Sequence, residues 1–325
     1  MLIIRNHSTN PYFNLAAEEV LLKDFQEDVF MLWRNKPSVI IGKNQNAIRE
    51  INTLFVEDHD IPVVRRLSGG GAVFHDLGNI NFTFIRKDNG KSFNNFRTFT
   101  QPILDVLNDM GVKASFSGRN DLIISGRKFS GNAQFKYKNR VLHHGTLLYN
   151  AKIHDLSKAL RPKSAHIQGK SIRSVRSRVT NICDHLDPPL AIEDFISRVE
   201  AHILKATDHR FHTFSDQEVE GIYRLASCKY ETWEWNFASS PSFTYSYETQ
   251  GDYGQLQLTF SVDQGTMEDV RILGNFQGQG NIQDLERMLT GLPHRRSAVV
   301  EALKPVEISR YVKGMDLESF ASLIY

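Results

Sequence analysis

The chain has 325 residues, 41% of them hydrophobic and 23% charged, and its 39 Lys and Arg against 37 Asp and Glu leave a formal charge of +2. This is the composition of a globular protein with a substantial core, at a length that suggests two domains. A near-neutral balance gives no reason to expect nucleic acid as a partner, so any anion must be met by a local cluster of cations. Cys183 and Cys228 form neither a CxxC nor a zinc-ligand spacing with His, which favours a reducing compartment over a disulfide framework. No apolar run is long enough to span a membrane, and the first seven residues, MLIIRNH, match neither a signal nor a transit peptide. The expected location is cytoplasmic, with no membrane partner.

In chain order, residues 2–5 read as a strand. Residues 11–25 read as a helix with Ala17, Val20, Leu21 and Phe25 on one face, and with Glu18 and Glu19 early enough to suit the helix N-terminus. Residues 29–34 and 38–42 read as strands paired in a hairpin across Lys36-Pro37, leading to the polar Lys43-Asn44-Gln45-Asn46, which is either a site lining or an exposed turn. A helix over 51–58 precedes a strand over 61–67, then three glycines, then a half-buried strand over 78–86 with Ile80, Phe82 and Phe84 in alternation.

Residues 96–110 carry a helical pattern through Phe99, Ile103 and Leu107 that stops at Gly111. Short strands over 112–116 and 122–124 flank a turn at 117–121, and a second turn, Ser125-Gly126-Arg127, delivers Lys128. A strand over 140–150 begins near His143-His144; neighbouring residues of a strand face opposite ways, so the pair is expected to put one ring under the site and the other in solvent, with no shared metal. Helices over 155–160 and 191–207 enclose residues 163–178, rich in Lys, Arg and Ser and poor in apolar periodicity, which read as a mobile loop, either a lid or a surface excursion. His209 and His212 lack an acidic companion at metalloprotease spacing and are assigned no metal role.

Small residues and Pro241 at 238–242 mark a boundary. Beyond it, three strand-like pieces over 243–273 and helical patterns over 282–289, 297–303 and 317–324 compose a small α+β module.

Two features carry chemistry. Arg65 and Arg66 run into Ser68-Gly69-Gly70-Gly71. Glycines without Cβ let backbone N–H groups approach an anion, and two adjacent cations repel unless an anion joins them, although a glycine triplet also serves in plain hairpins. Lys128, between Gly126 and Gly131, is either an ordinary exposed lysine or a compact ammonium placed to bridge a carboxylate and a phosphate.

The stretch Arg65-Arg66-Leu67-Ser68-Gly69-Gly70-Gly71-Ala72-Val73-Phe74-His75-Asp76-Leu77-Gly78-Asn79 resembles the signature of lipoate–protein ligases and the related lipoyl- and octanoyltransferases. Arg119-Asn120-Asp121-Leu122 and residues 127–134, 143–148, 174–181 and 233–236 extend the resemblance in the same order over nearly the whole chain. It implies an α+β (mixed α/β) fold of the biotin/lipoate ligase type, with a catalytic domain of mixed β-sheets flanked by helices over 1–240 and a small α+β accessory domain over 241–325.

The implied reaction activates lipoate or octanoate with ATP and Mg²⁺ to an acyl-AMP, then acylates one lysine on lipoyl domains of 2-oxo-acid dehydrogenase complexes and on the glycine-cleavage H protein. By the resemblance, Lys128 is the catalytic residue. Arg66, Ser68, Gly69, Gly70, Gly71, Ala72, Val73, Phe74, His75 and Asn79 line the ATP and lipoyl-AMP site. Arg119, Asn120, Asp121, Ser130, Gly131, Thr146, Ser171 and Arg173 join them; the chemistry of adenylation makes Asp121 a candidate Mg²⁺ ligand and residues 163–178 a candidate lid.

Neither cysteine lies in a motif, which disfavours the octanoyltransferases that use a cysteine nucleophile. A lipoyltransferase that takes preformed lipoyl-AMP or a lipoylated donor protein shares most of these features. A non-catalytic lipoyl or nucleotide sensor would need affinity but no group matched to a transition state, and Lys128 argues against it.

Overall fold

Asn10 caps the helix Pro11–Lys23 by accepting from Tyr12 N, and Pro11 stands in its first turn, where a missing N–H costs nothing. In this computed structural model, which describes residues 1–90, 92–160, 166–175, 177–205 and 208–325, that helix buries Ala16, Ala17, Leu21 and Leu22 and lies against two strands of the large sheet.

The strands are β1 (Leu2–Arg5), β2 (Val29–Trp33), β3 (Ser38–Ile41), β4 (Val63–Arg65), β5 (Val73–His75) and β6 (Asn79–Lys87). They continue as β7 (Ala114–Ser117), β8 (Asp121–Ile124), β9 (Arg127–Tyr137), β10 (Arg140–Leu148) and β11 (His166–Gly169). The last four are β12 (Arg210–Thr213), β13 (Phe243–Gly251), β14 (Gly254–Asp263) and β15 (Thr266–Gly274).

One compact unit comprises Met1–Lys43, Ile61–Lys158 and Ser174–Thr232. Its large mixed sheet runs β12-β1-β2-β6-β10-β9-β8-β7, with β12, β1 and β2 parallel and the rest antiparallel. Phe82, Phe84, Phe99, Ile103, Phe129 and Phe195 are among the fully buried side chains of its core, to which the helices Phe96–Asp109 and Ile192–Lys205 contribute. A second sheet in the unit, β4-β3-β5, puts β3 between parallel β4 and antiparallel β5.

The other unit gathers Asn44–Asp60, Ala159–Arg173 and Trp233–Tyr325. Its sheet, β11-β13-β14-β15, alternates inward Leu256, Leu258, Phe260 and Val262 along β14 and packs them against Leu285, Leu289, Val299 and Phe320 of three helices. The mixed-sheet α+β architecture with a small α+β companion is the one expected.

Several local expectations are corrected. The 29–34 and 38–42 strands do not pair: β2 lies between β1 and β6, while β3 is the centre of the other sheet. β3 is buried along its whole length, and its backbone groups are satisfied by two neighbours, which a hairpin would not supply. Likewise β4 and β5 flank β3, so the glycine turn between them passes over the end of β3 and is not a hairpin loop. Glu18 and Glu19 are buried at mid-helix and have found cations or donors there; neither stands in the first turn. Both His143 and His144 are buried. Within the expected lid, His166–Gly169 is a strand paired with Phe243–Ser246; Lys163, Ser164, Ala165 and Arg176 lie outside the described residues, as do the last two positions of the 191–207 helix.

Candidate active site

The glycine turn is held from inside by Arg66. Its Nη2 donates to Gly69 O at 2.6 Å and Gly71 O at 2.8 Å, Nη1 to Ile40 O at 3.2 Å, and Nε to Ser68 Oγ at 3.0 Å. Arg65 turns elsewhere, donating to Gly42 O and Lys43 O at 3.0 and 3.1 Å. Carbonyl oxygens thus take the place of the anion expected between the two guanidinia, and burial pulls both down to about 10.

A trans peptide sets its N–H opposite its C=O, so with Gly69 O turned inward the Gly70 N–H points outward, and among the described residues it has no partner. Gly70 has φ +91°, open to glycine, and its carbonyl rests on Gly42, where an added Cβ would fall 2.2 Å from it. Ala72 N donates to Ser174 Oγ at 2.8 Å.

Below the turn, Ser68 Oγ lies 2.6 Å from His144 Nε2, and His144 Nδ1 lies 3.0 Å from both oxygens of Glu18. Thr83 Oγ1 donates to Glu18 at 2.6 Å and accepts from Trp33 Nε1 at 2.9 Å. His75 sits nearby, its Nδ1 accepting from Asn35 Nδ2 at 3.1 Å. Burial, with Arg66 and His144 close by, drives the His75 pKa down to about 3, so the ring is neutral. Phe74 is buried with it, and Ala72 and Val73 are half-buried.

Lys128 is placed by β9. Its backbone is bracketed by Arg178 O and Thr180 N, at 2.9 and 3.0 Å, and a bulge at Phe129 shifts the pairing with β8 so that Leu122 faces Ser130 and Ile123 faces Lys128. Phe129 fills the core and Lys128 turns outward, 27% exposed, with Nζ 2.8 Å from Asp121 Oδ1. Asp121 stands opposite Gly131, and a Cβ on Gly131 would meet Lys128 Cε and Nζ at 3.0 Å. The lysine therefore crosses a glycine to reach its partner. Two residues on, Ala133 abuts the glycine turn, its Cβ 4.0 Å from where a Gly70 Cβ would be.

The remaining predicted residues build this floor. Thr146 Oγ1 accepts from Gly131 N at 3.2 Å, and Asn120 and Asn132 exchange hydrogen bonds of 2.7 to 3.1 Å that pin the 117–121 turn to β9. Asn132 Nδ2 also reaches Ser130 Oγ, and Asn79 Nδ2 reaches Asn81 Oδ1. Arg119 donates to Asn94 Oδ1 at 2.9 Å and lies over the Phe96 ring. Ser171 and Arg173 belong to the other unit, where Ser171 Oγ accepts from Arg49 at 3.2 Å. His144 is the ring that lies under the site; Glu18 and Asn35 join it with no signal in the sequence, and Asn132 with none beyond its place in the 127–134 stretch. A separate groove of about 690 Å³ beside Glu19, Lys23, Arg210 and Arg224 includes no predicted site residue.

Residues 10–204 match the lipoyl protein ligase A/B catalytic domain, and residues 240–324 match the bacterial lipoate protein ligase C-terminus. The chain belongs to the lipoate–protein ligase family. The ligase is 42% identical over 331 residues to the lipoate-protein ligase LplJ of Bacillus subtilis, with 100% of both chains covered. Among solved structures it resembles lipoate-protein ligase A bound with ATP, at TM-score 0.63 and 26% identity over 72% of the ligase and 97% of that chain. A bi-partite lipoate protein ligase from Thermoplasma acidophilum, analysed with its E2 lipoyl domain, matches at TM-score 0.63 and 26% identity over 72% of the ligase and 94% of that chain.

Proposed function

We propose that this chain is an ATP-dependent lipoate–protein ligase that makes lipoyl-AMP and passes the lipoyl group to a lysine of a lipoyl domain. The observation that carries the reading is the partly exposed Lys128 ammonium, on the strand that abuts the glycine turn and held by Asp121 of the neighbouring strand. In the first step a carboxylate oxygen of lipoate attacks the α-phosphorus of ATP and pyrophosphate leaves. Lys128 contacts the carboxylate and the α-phosphate oxygens, where negative charge concentrates, and the outward amide of Gly70 meets phosphate. In the second step the acceptor lysine's amine attacks the acyl carbon, loses its proton, and AMP leaves.

Among the described residues no three His, Cys, Asp or Glu side chains cluster as a metal site. A Mg²⁺ arriving with the nucleotide needs only one or two carboxylates beside phosphates and water, and Asp121 is the carboxylate at hand. That ion would neutralise the triphosphate. Ser171 and Arg173 are assigned to shielding the adenylate from water; residues 241–325 are assigned as the accessory domain.

Acceptors are lipoyl domains of 2-oxo-acid dehydrogenase complexes and the glycine-cleavage H protein, a reading supported by the archaeal relative studied with its E2 lipoyl domain. Two free cysteines and the need for ATP favour the cytoplasm; among the described residues no helix is long and apolar enough to cross a membrane.

The test is intact mass spectrometry of an apo lipoyl domain incubated with the protein and either lipoate plus Mg-ATP or lipoyl-AMP alone. One lipoyl group added in both is the expected result. Addition from lipoyl-AMP alone would make the protein a transferase, and addition in neither would leave a binding protein.

A further inference from the structure

With a single proton on the His144 ring, the chain of hydrogen bonds under the glycine turn has one consistent direction. The Arg66 guanidinium and the Trp33 indole can only donate, and a carboxylate, as at Glu18, accepts. Thr83 Oγ1 accepts from Trp33 and so gives its proton to Glu18. Ser68 Oγ accepts from Arg66 Nε and keeps its own proton to give; a single imidazole proton on Nδ1, facing Glu18, leaves Nε2 bare to accept it. Glu18, Ser68 and His144 are all buried, so water does not compete for these bonds.

We propose that Glu18, acting through His144 and Ser68, is a positioning residue for the Arg66 clamp on the glycine turn. Glu18 selects the His144 tautomer; the bare Nε2 turns the Ser68 hydroxyl toward itself; the Ser68 lone pair is then left for Arg66 Nε, which fixes the guanidinium plane. That plane sets Nη2 between Gly69 O and Gly71 O and so aims the Gly70 amide outward. Glu18 and His144 are buried beneath the turn, and the role assigned to them includes no contact with nucleotide. Their effect reaches it only through the turn, and the inference rests on the adenylating function proposed above.

The experiment is lipoate-dependent ATP–pyrophosphate exchange by the full chain, with Glu18→Gln, Ser68→Ala and the double variant, each checked for folding by thermal melting. Glutamine keeps the shape but removes the charge-assisted bond. Each single change is expected to raise the KM for ATP about tenfold with a smaller effect on kcat, the scale of losing one hydrogen bond to a charged group. The double variant is expected to match the worse single one, because both cut the same series.

Thr83→Val, which removes one bond to Glu18 at nearly constant volume, covers the case in which Glu18→Gln fails to fold, and is expected to raise KM in the same direction by less. Effects that multiply in the double variant, or folded variants whose KM is unchanged while only the melting temperature falls, would overturn the proposal. Absence of exchange in the unmodified protein would instead overturn the adenylating function itself.

Discussion

The Lys128 side chain crosses the face of Gly131 and ends 2.8 Å from Asp121, directly opposite that glycine on the neighbouring strand. Gly131 is there for the lysine and not for a turn, since its φ is not among the positive ones. A Gly131→Ala methyl would meet Cε and Nζ at 3.0 Å, both at the far end of a flexible chain. The fold can accept it by moving the ammonium. We expect melting behaviour close to that of the parent and acyl-adenylate formation lowered by ten- to about a hundredfold, since misplacing a catalytic group by about 1 Å can cost that much. Comparing pyrophosphate exchange with thermal melting checks it; equal losses in both would make Gly131 a stability residue.

Removing the ammonium altogether should separate chemistry from fold more sharply. Lys128 is partly exposed, and its backbone bonds to Arg178 and Thr180 do not depend on its side chain. Lys128→Ala is expected to lower lipoyl-AMP formation by about two to three orders of magnitude, the usual effect of losing one preorganised charge at a transition state, with an unchanged circular-dichroism spectrum. Normal lipoylation of an apo lipoyl domain by this variant would refute the assignment.

A glycine that fails in the opposite way stands at position 42. Its Cβ would fall 2.2 Å from Gly70 O, a backbone atom held in place by the Arg66 bonds on either side of it. Gly42→Ala must shift the turn or the end of β3, at a cost of about 1–3 kcal/mol typical of overpacking. A lower melting temperature together with a higher KM for ATP is expected. A variant as stable as the parent would show that the turn is not seated on Gly42.

How much of this could be read in the sequence depended on the range of each interaction. The three C-terminal hairpin strands and their helices follow from alternation and 3.6-residue periodicity and came through with bounds nearly intact. The glycine turn and Lys128 were also legible, because their glycines and cations are adjacent in the chain. The link between His144 and Glu18 is not: the two are 126 positions apart, and an acid seven residues after Pro11 looks like a helix-end charge until a strand places a histidine over it. β11 is not legible because four residues are too few to show a period, and its reason for being a strand is Phe243–Ser246, far along the chain. The split of β2 and β3 into different sheets is likewise decided by partners neither strand can announce.

Acid should destabilise the protein through histidines that are buried without charge. Burial lowers His294 to about 4 while its Nε2 donates to Ile324 O, and burial with Arg66 and His144 nearby lowers His75 to about 3. In the unfolded chain each titrates near 6.5. Between that value and the native one, the unfolded state holds a proton that the native state does not, so stability falls as pH drops below about 6.5 and levels off only below the native pKa. The limiting slope is about 1.4 kcal/mol per pH unit for each such histidine. Urea unfolding followed by tryptophan fluorescence at pH 7.5, 6.0 and 5.0 is expected to show this loss. His294→Phe, which keeps a ring to stack on Tyr325 and pack near Phe260, should lose about 1 kcal/mol at pH 7.5 with its hydrogen bond but decline less steeply toward pH 5.0. An unchanged slope in the variant would mean that His294 takes up its proton in the native state and adds nothing to the acid lability.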